Sequence, residues 1–94
     1  MADRKIVWDE RKNKSNRTKH GIGFDEASDV FFDQLALTVD DRDHSWEEFR
    51  FISIGKTRMR KLIVVFFTET DEEIRIISAR RSTRTERREY EEGR

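Results

Sequence analysis

The sequence predicts a single α+β domain over residues 1–94, with a mainly antiparallel sheet of about four to five strands, two N-terminal helices packed on it and a short C-terminal helix. Three observations carry that expectation. The chain has 94 residues, and one hydrophobic core commonly serves about 100–150. Hydrophobic residues are 34% against 43% charged, a balance that would approach disorder if the apolar residues were scattered. They are concentrated instead: Leu62 to Phe67 is unbroken, and Phe49 to Ile54 and Ile74 to Ala79 are strongly apolar. The links between these segments are short, which suits hairpins better than crossovers and makes the sheet mainly antiparallel.

The elements follow in order. Lys5-Ile6-Val7-Trp8 is a strand, and Asp9 follows as an N-cap whose carboxylate can accept the amide protons of a first helical turn. The helix runs from Glu10 to His20 without Gly or Pro, and Gly21 stands where a left-handed C-cap belongs. It contains no apolar residue, so it must pair along the surface or face something polar. Lys12, Asn16, Lys19 and His20 fall on one of its faces. Asp25 or Glu26 opens a second helix, whose stripe of Phe24, Ala27, Val30 and Phe31 packs on the sheet. Leu35, Leu37 and Val39 alternate with Ala36, Thr38 and Asp40, which predicts a strand with one buried face. Strands are expected at about Phe49–Gly55, Leu62–Thr68 and Ile74–Arg80. Thr83 and Glu86 form a capping box that starts the last helix, which runs to about Glu92 and carries only Tyr90 as a strongly apolar residue. A helix of about nine residues is too short to stand alone, so it must dock or fray.

Charge cancels overall, yet its placement is uneven. Residues 1–24 carry a balance of +4, residues 25–53 of −7, and residues 75–94 of +3. If the two ends meet, they form a basic surface on which a polyanion could dock; alternatively they are solvated faces paired with the acidic middle. There is no Cys and no Pro, so disulfide and thiolate chemistry are excluded. The N-terminus, Met-Ala-Asp-Arg-Lys, has no apolar stretch fit for a signal peptide, and no apolar run is long enough to span a bilayer. A soluble, cytoplasmic protein without membrane partners is expected.

The segment from Asp40 to Glu48 invites a metal reading but fails the calcium-loop test. Counted from Asp41, position six is Trp46 where Gly is needed and position twelve is Ile52 where Glu is needed. With no Cys and only His20 and His44 as imidazoles, the usual ligands of a closed zinc site are lacking, and a looser divalent site on the acidic segment stands against a solvated loop between strands. Phosphate-binding glycine loops and the nucleophile elbow of serine hydrolases are absent. What remains is rich in Arg: Arg75, Arg80, Arg81, Arg84, Arg87 and Arg88 carry planar forks suited to phosphate. The same arginines could simply pair with Glu86, Glu89, Glu91 and Glu92. His20 likewise fits either chemistry or a capping role, because a helix C-terminus favours a cation.

The order of these pieces resembles the BrnT family of bacterial type II toxins. The N-terminal signature reads Ile6-Val7-Trp8-Asp9, then Lys12, Asn16, Lys19-His20-Gly21-Ile22, Phe24 and Ala27. The C-terminal one reads Ile74-Arg75-Ile76-Ile77-Ser78-Ala79-Arg80, then Glu86-Arg87 and Tyr90. Between them, Asp40, Arg42, Glu48, Arg50 and Ile54-Gly55 resemble the family's middle segment, although Phe49 separates Glu48 from Arg50 and bulky Trp46 stands where a small residue is usual.

The resemblance implies a fold similar to RelE-type ribonuclease toxins, with helices on one sheet face and the other face open and basic. It also implies metal-independent RNA cleavage that halts translation, with no cofactor, neutralisation by a BrnA-like antitoxin, and contact with operator DNA only through the toxin–antitoxin complex, which represses the shared operon. Cleavage of this kind needs an RNA 2′-hydroxyl aligned on its neighbouring phosphate, one proton removed, the leaving oxygen protonated and phosphoryl charge stabilised. Arg75 and Arg80 are the expected phosphate clamp, and Lys19 and His20 the expected groups for proton transfer or phosphate contact. Lys12, Asn16, Arg81, Arg84, Arg87 and Arg88 are expected to hold RNA. A single-stranded substrate is anticipated, with bases splayed against groups such as Trp8, Trp46 or Tyr90, although each of these aromatics is more often a core residue than a platform. Two other readings compete: a non-catalytic nucleic-acid or partner-binding module, such as a decayed toxin acting as corepressor, and an interaction protein whose basic surface serves an acidic partner.

Overall fold

A computed structural model describes residues 4–41 and 49–93. Strand β1 (Lys5–Trp8) leads into helix α1 (Glu10–His20), helix α2 (Phe24–Ala27) and a 3₁₀ helix (Ser28–Phe32). Strands β2 (Leu37–Asp40), β3 (Phe51–Lys56), β4 (Leu62–Glu69) and β5 (Glu73–Arg81) follow, and helix α3 (Arg84–Glu92) closes the chain. The strands form one five-stranded sheet in the order β1-β5-β4-β3-β2. Only β1 pairs in parallel, on β5; β2 to β5 form an antiparallel meander.

The helix ends sit where the sequence marks them. The Asp9 carboxylate accepts the amide protons of Arg11 and Lys12 at 2.8 and 3.3 Å. Gly21 terminates α1 at φ 70°, a left-handed conformation that costs glycine no steric penalty. The Thr83 hydroxyl accepts from the Glu86 amide at 3.1 Å, and the Glu86 carboxylate accepts from the Thr83 amide at 2.8 Å, closing the capping box.

The main core lies between the sheet and the N-terminal helices. Ile22, Phe24, Ala27 and Val30 meet Ile63, Val65 and Ile76, all essentially inaccessible. The second helix differs from expectation: it starts at Phe24, and after Ala27 it tightens into the 3₁₀ turn. Phe24, Ala27 and Val30 are fully buried as predicted and Phe31 is half-buried. Gly55 makes the close approach of that turn possible, since a Cβ there would stand 2.8 Å from a Val30 methyl. A smaller cluster on the opposite sheet face joins Ile54, Leu62 and Val64 to Tyr90 of α3.

The strand expected from Leu35 to Val39 is shorter, and its buried face is not realised. Leu35 is 71% and Val39 57% exposed. The Asp33 carboxylate accepts the Leu35 amide and the Asp33 carbonyl accepts the Ala36 amide, a turn that delays the strand to Leu37. As a sheet edge, β2 then pairs on one side only. Phe49 also lies outside its strand and is exposed.

Candidate nucleic-acid site

The all-polar α1 is docked through two asparagines. Asn13 Oδ1 accepts the Phe24 amide at 2.7 Å, and Asn13 Nδ2 donates to Glu10 at 3.0 Å. Asn16 reaches β5 in the stretch beyond Ile76, where the β1 ladder ends. Its Nδ2 donates to the carbonyls of Ile22 and Ala79 at 2.8 Å each, and its Oδ1 accepts the Ala79 amide at 3.1 Å. One amide side chain therefore satisfies both backbone groups of Ala79, as a neighbouring strand would. Both asparagines are buried.

This docking opens a cleft of about 190 Å³ between α1 and β5, lined by Lys12, Ser15, Asn16, Lys19, His20, Ile77 and Ser78. It gathers in one place the four α1 residues that the sequence singled out. Asn16 is its buried floor, committed to backbone, whereas Lys12, Lys19 and His20 are exposed and make no side-chain hydrogen bond or ion pair among the described residues. No carboxylate lines this cleft. The other described clefts each include at least one Asp or Glu.

Arg75 and Arg80 lie on the sheet face opposite the main core, opposite Thr68 and Val64 of β4. Those partners are four residues apart, so the two side chains root about 13 Å apart along the strand. Arg75 is exposed, 3.7 Å from Glu73. Arg80 is half-buried: its Nη1 and Nη2 each donate to Glu86 at 2.8 Å, Nη1 also donates to the Arg81 carbonyl at 3.1 Å, and the guanidinium lies 5.5 Å from the Phe66 ring. The Arg80 hydrogen bonds hold the Glu86 carboxyl down at about 2 against its burial, helped by the Thr83 amide, and the same bonds push the Arg80 guanidinium up.

Ser78 connects the two halves. It lines the α1 cleft, and it pairs with Phe66 two positions before Arg80, on the same sheet face as Arg80. Between Ser78 and Ile76 the register slips by one residue, and the bulge leaves Ile77 without a partner in the β4 ladder and in the cleft wall. Ser15 and Ser78 were not singled out as site residues; the spacing of Ser78 from Arg80 along a strand was the available signal. Arg81, Arg84, Arg87 and Arg88 are exposed at the end of β5 and on α3, with Arg87 3.9 Å from Glu91.

Of the three aromatic candidates for stacking, Tyr90 is taken up by the core. Tyr90 is buried under α3, where its hydroxyl donates to Asp33 at 2.7 Å. Trp8 is half-buried, edge-on to Phe24 at 6.3 Å, with its indole nitrogen donating to Glu10. Trp46 lies outside the described residues, as do Asp43 and Glu47 of the acidic segment, while Asp41 is buried. Among the described residues no three His, Cys, Asp or Glu side chains cluster as metal ligands, and no helix is long and apolar enough to cross a membrane.

A family profile described as the ribonuclease toxin BrnT of type II toxin–antitoxin systems matches residues 8–86. The chain belongs to that family. The fold is similar to the crystal structure of the Brucella abortus ribonuclease toxin BrnT, with 26% sequence identity, a TM-score of 0.67, and coverage of 87% of this chain and 100% of that one. Among curated proteins no sequence match is found. The matched residues run from Trp8 through Glu86, so the family's extent takes in α1, the cleft, β5 and the Arg80–Glu86 pair. The expected family and fold class are borne out.

Proposed function

We propose that this chain is a metal-independent endoribonuclease that cleaves single-stranded RNA in the cytoplasm, inhibits translation, and is neutralised by a BrnA-like antitoxin with which it represses its own operon, touching operator DNA only through that complex. The observation that carries the site assignment is the acid-free cleft, where two unpaired lysines, an imidazole and two serine hydroxyls converge at the bulge of β5. Membership in a family of ribonuclease toxins supplies the RNA target and the antitoxin class. In the proposed reaction a scissile phosphate enters the cleft, where Lys12 and Lys19 offset its charge. His20 moves a proton between the 2′-hydroxyl or the leaving oxygen and solvent, with Lys19 beside it to contact the phosphate. The next phosphates follow the strand past Ser78 to Arg80, with Arg75 on a separate one, and the arginines at 81, 84, 87 and 88 hold the backbone further out.

The cations of the site supply the charge that a metal would otherwise bring, which supports the metal-independent reading. The test is incubation of defined RNA with EDTA-treated protein, with and without added antitoxin. Cleavage that persists in chelator and stops on antitoxin addition is expected. Activity lost in chelator and restored by a divalent ion would sink the metal-free mechanism. The corepressor reading predicts instead RNA that stays intact under all conditions.

A further inference from the structure

The five N–H groups of Arg80 are divided in a way that leaves one edge of its guanidinium without a partner among the described residues. Nη1 and Nη2 both donate to Glu86, taking the end-on edge. The second Nη1 proton goes to the Arg81 carbonyl. What is left is Nε–H and the second Nη2–H, which lie side by side on the remaining edge and match the spacing of two phosphate oxygens. The Phe66 ring lies 5.5 Å from the guanidinium and adds a cation–π contact to the same group. Glu86 is itself fixed: the capping box places it at the third position of α3, and its Oε1 accepts the Thr83 amide as well as Arg80 Nη1.

We propose that Glu86 is a positioning residue, which uses the start of α3 to hold Arg80 with its side-on edge, Nε–H and Nη2–H, free to act as a bidentate phosphate clamp on the sheet face opposite the main core. This rests on the RNA-cleavage reading and names what makes its clamp work. An Arg on a strand end without such a partner samples many rotamers, and ordering it on binding has an entropic cost. With Glu86 in place that cost is met by the fold. The ion pair would thus serve substrate binding as well as the anchoring of α3.

Glutamine separates the two roles. It is accepted in a capping box, so Glu86→Gln keeps the helix start; but an amide offers one acceptor oxygen, and its NH₂ would face one of the two Arg80 N–H groups, so the fork breaks. The experiment measures Tm, kcat at saturating single-stranded RNA, and Kd for a 2′-O-methyl version of the same RNA that cannot be cut, for wild type, Glu86→Gln, Glu86→Ala, Arg80→Ala and the Arg80→Ala/Glu86→Gln pair. Glu86→Gln is expected to recover most of the Tm lost in Glu86→Ala while its kcat stays down by about 10²-fold, the scale of a misplaced contact. The double variant should be no slower than Arg80→Ala alone, because Glu86 acts through Arg80. A Glu86→Gln protein with wild-type kcat, or a double variant much slower than Arg80→Ala, overturns the positioning role. Wild-type protein that leaves RNA uncut overturns the ribonuclease reading itself, and this is seen before any variant is compared.

Discussion

Helices α1 and α3 pose the same problem and solve it differently. Neither carries an apolar stripe, and a short polar helix does not hold itself together in water. Helix α1 is attached by hydrogen bonds from Asn13 and Asn16 to backbone of the following loop and β5, all buried. Helix α3 is attached by side chains to side chains: Tyr90 in its small cluster with its hydroxyl on Asp33, and Glu86 on Arg80. A staple to backbone has no neutral alternative, since removing it strands peptide groups away from water. A contact between side chains at a half-exposed surface can be given up more cheaply. The cleft residues are thus mounted on the more firmly fixed helix, whereas the clamp arginine of β5 is held by Glu86 of the more adjustable one.

The largest effect should come from breaking the α1 staple. Asn16→Ala leaves the Ala79 amide and the carbonyls of Ala79 and Ile22 without this partner, and we expect a loss of about 3–5 kcal/mol, a fall in Tm of about 15 °C or more for a domain of this size. Asn16→Asp should be nearly as damaging, because a carboxylate accepts the Ala79 amide but repels both carbonyls. Thermal melts followed by circular dichroism read both. A stable Asn16→Ala protein would return Asn16 to the surface role expected from sequence, in direct contact with RNA.

Next in size is the clamp. Arg80→Ala should lower cleavage by about 10²–10³-fold, or about 2.7–4 kcal/mol of transition-state stabilisation, while lowering folding stability by only about 1 kcal/mol through the lost contact with Glu86. Arg80→Lys should recover part of the stability and little of the rate, because an ammonium cannot bond Glu86 and a phosphate as two forks. Cleavage rate per folded molecule decides it, and an undiminished rate in Arg80→Ala removes the residue from the site.

How much of this was readable in the sequence divides along the same line. Both N-caps, the Gly21 stop, the meander and the face shared by Lys12, Asn16, Lys19 and His20 follow from local chemistry, and the structure shows each of them. Local patterns could not tell that Asn16 turns inward, because two of its three hydrogen bonds go to Ala79, 63 residues away on β5. An amide among lysines looks like one more RNA contact until a strand edge is known to need it. The same distance hides the pairing of β1 with β5, whose ladder stops at Ile76 and leaves Ala79 for Asn16 to satisfy. Leu35 and Val39 were misjudged for a related reason: alternation reports what a side chain suits, whereas its position on an edge strand decides its burial.

A smaller effect tests the side-chain anchoring of α3. Burial, the hydrogen bond to Asp33 and the charge of Asp33 push the Tyr90 hydroxyl up to about 12. Burial pushes the Asp33 carboxyl up too, but the amides of Lys56 and Leu35, the Tyr90 hydroxyl and the Lys56 charge outweigh it and hold the group below its ordinary value. A folded-state value above the unfolded one means that Tyr90 contributes fully below pH 10, the ordinary tyrosine value, and that this contribution fades as pH rises through about 12. Tyr90→Phe should cost about 1.5–2 kcal/mol at neutral pH, and the difference from wild type should shrink between those two values. Denaturant titrations across that range read the difference. A gap that is constant with pH would mean that the hydroxyl is not held by Asp33.

The smallest expected effects distinguish the cations of the two helices. Lys12 lines the cleft, while Arg88 stands exposed on α3 outside it. If both meet RNA phosphates, Lys12→Gln and Arg88→Gln should each flatten the dependence of log Kd on log salt by about 0.7, the release expected for one phosphate of a single strand. Stability should change by less than about 0.5 kcal/mol in either, since neither side chain has an ion-pair partner among the described residues. They should part at the chemical step: a lysine beside the scissile phosphate stabilises charge that grows in the transition state, so Lys12→Gln should lower kcat at saturating RNA by several-fold, whereas Arg88→Gln should leave kcat unchanged. Single-turnover cleavage at low and high salt measures both quantities on the same preparation. Equal kcat losses for the two variants would place the scissile phosphate nearer α3 than the cleft, and the assignment of His20 and Lys19 to the chemistry would fall with it.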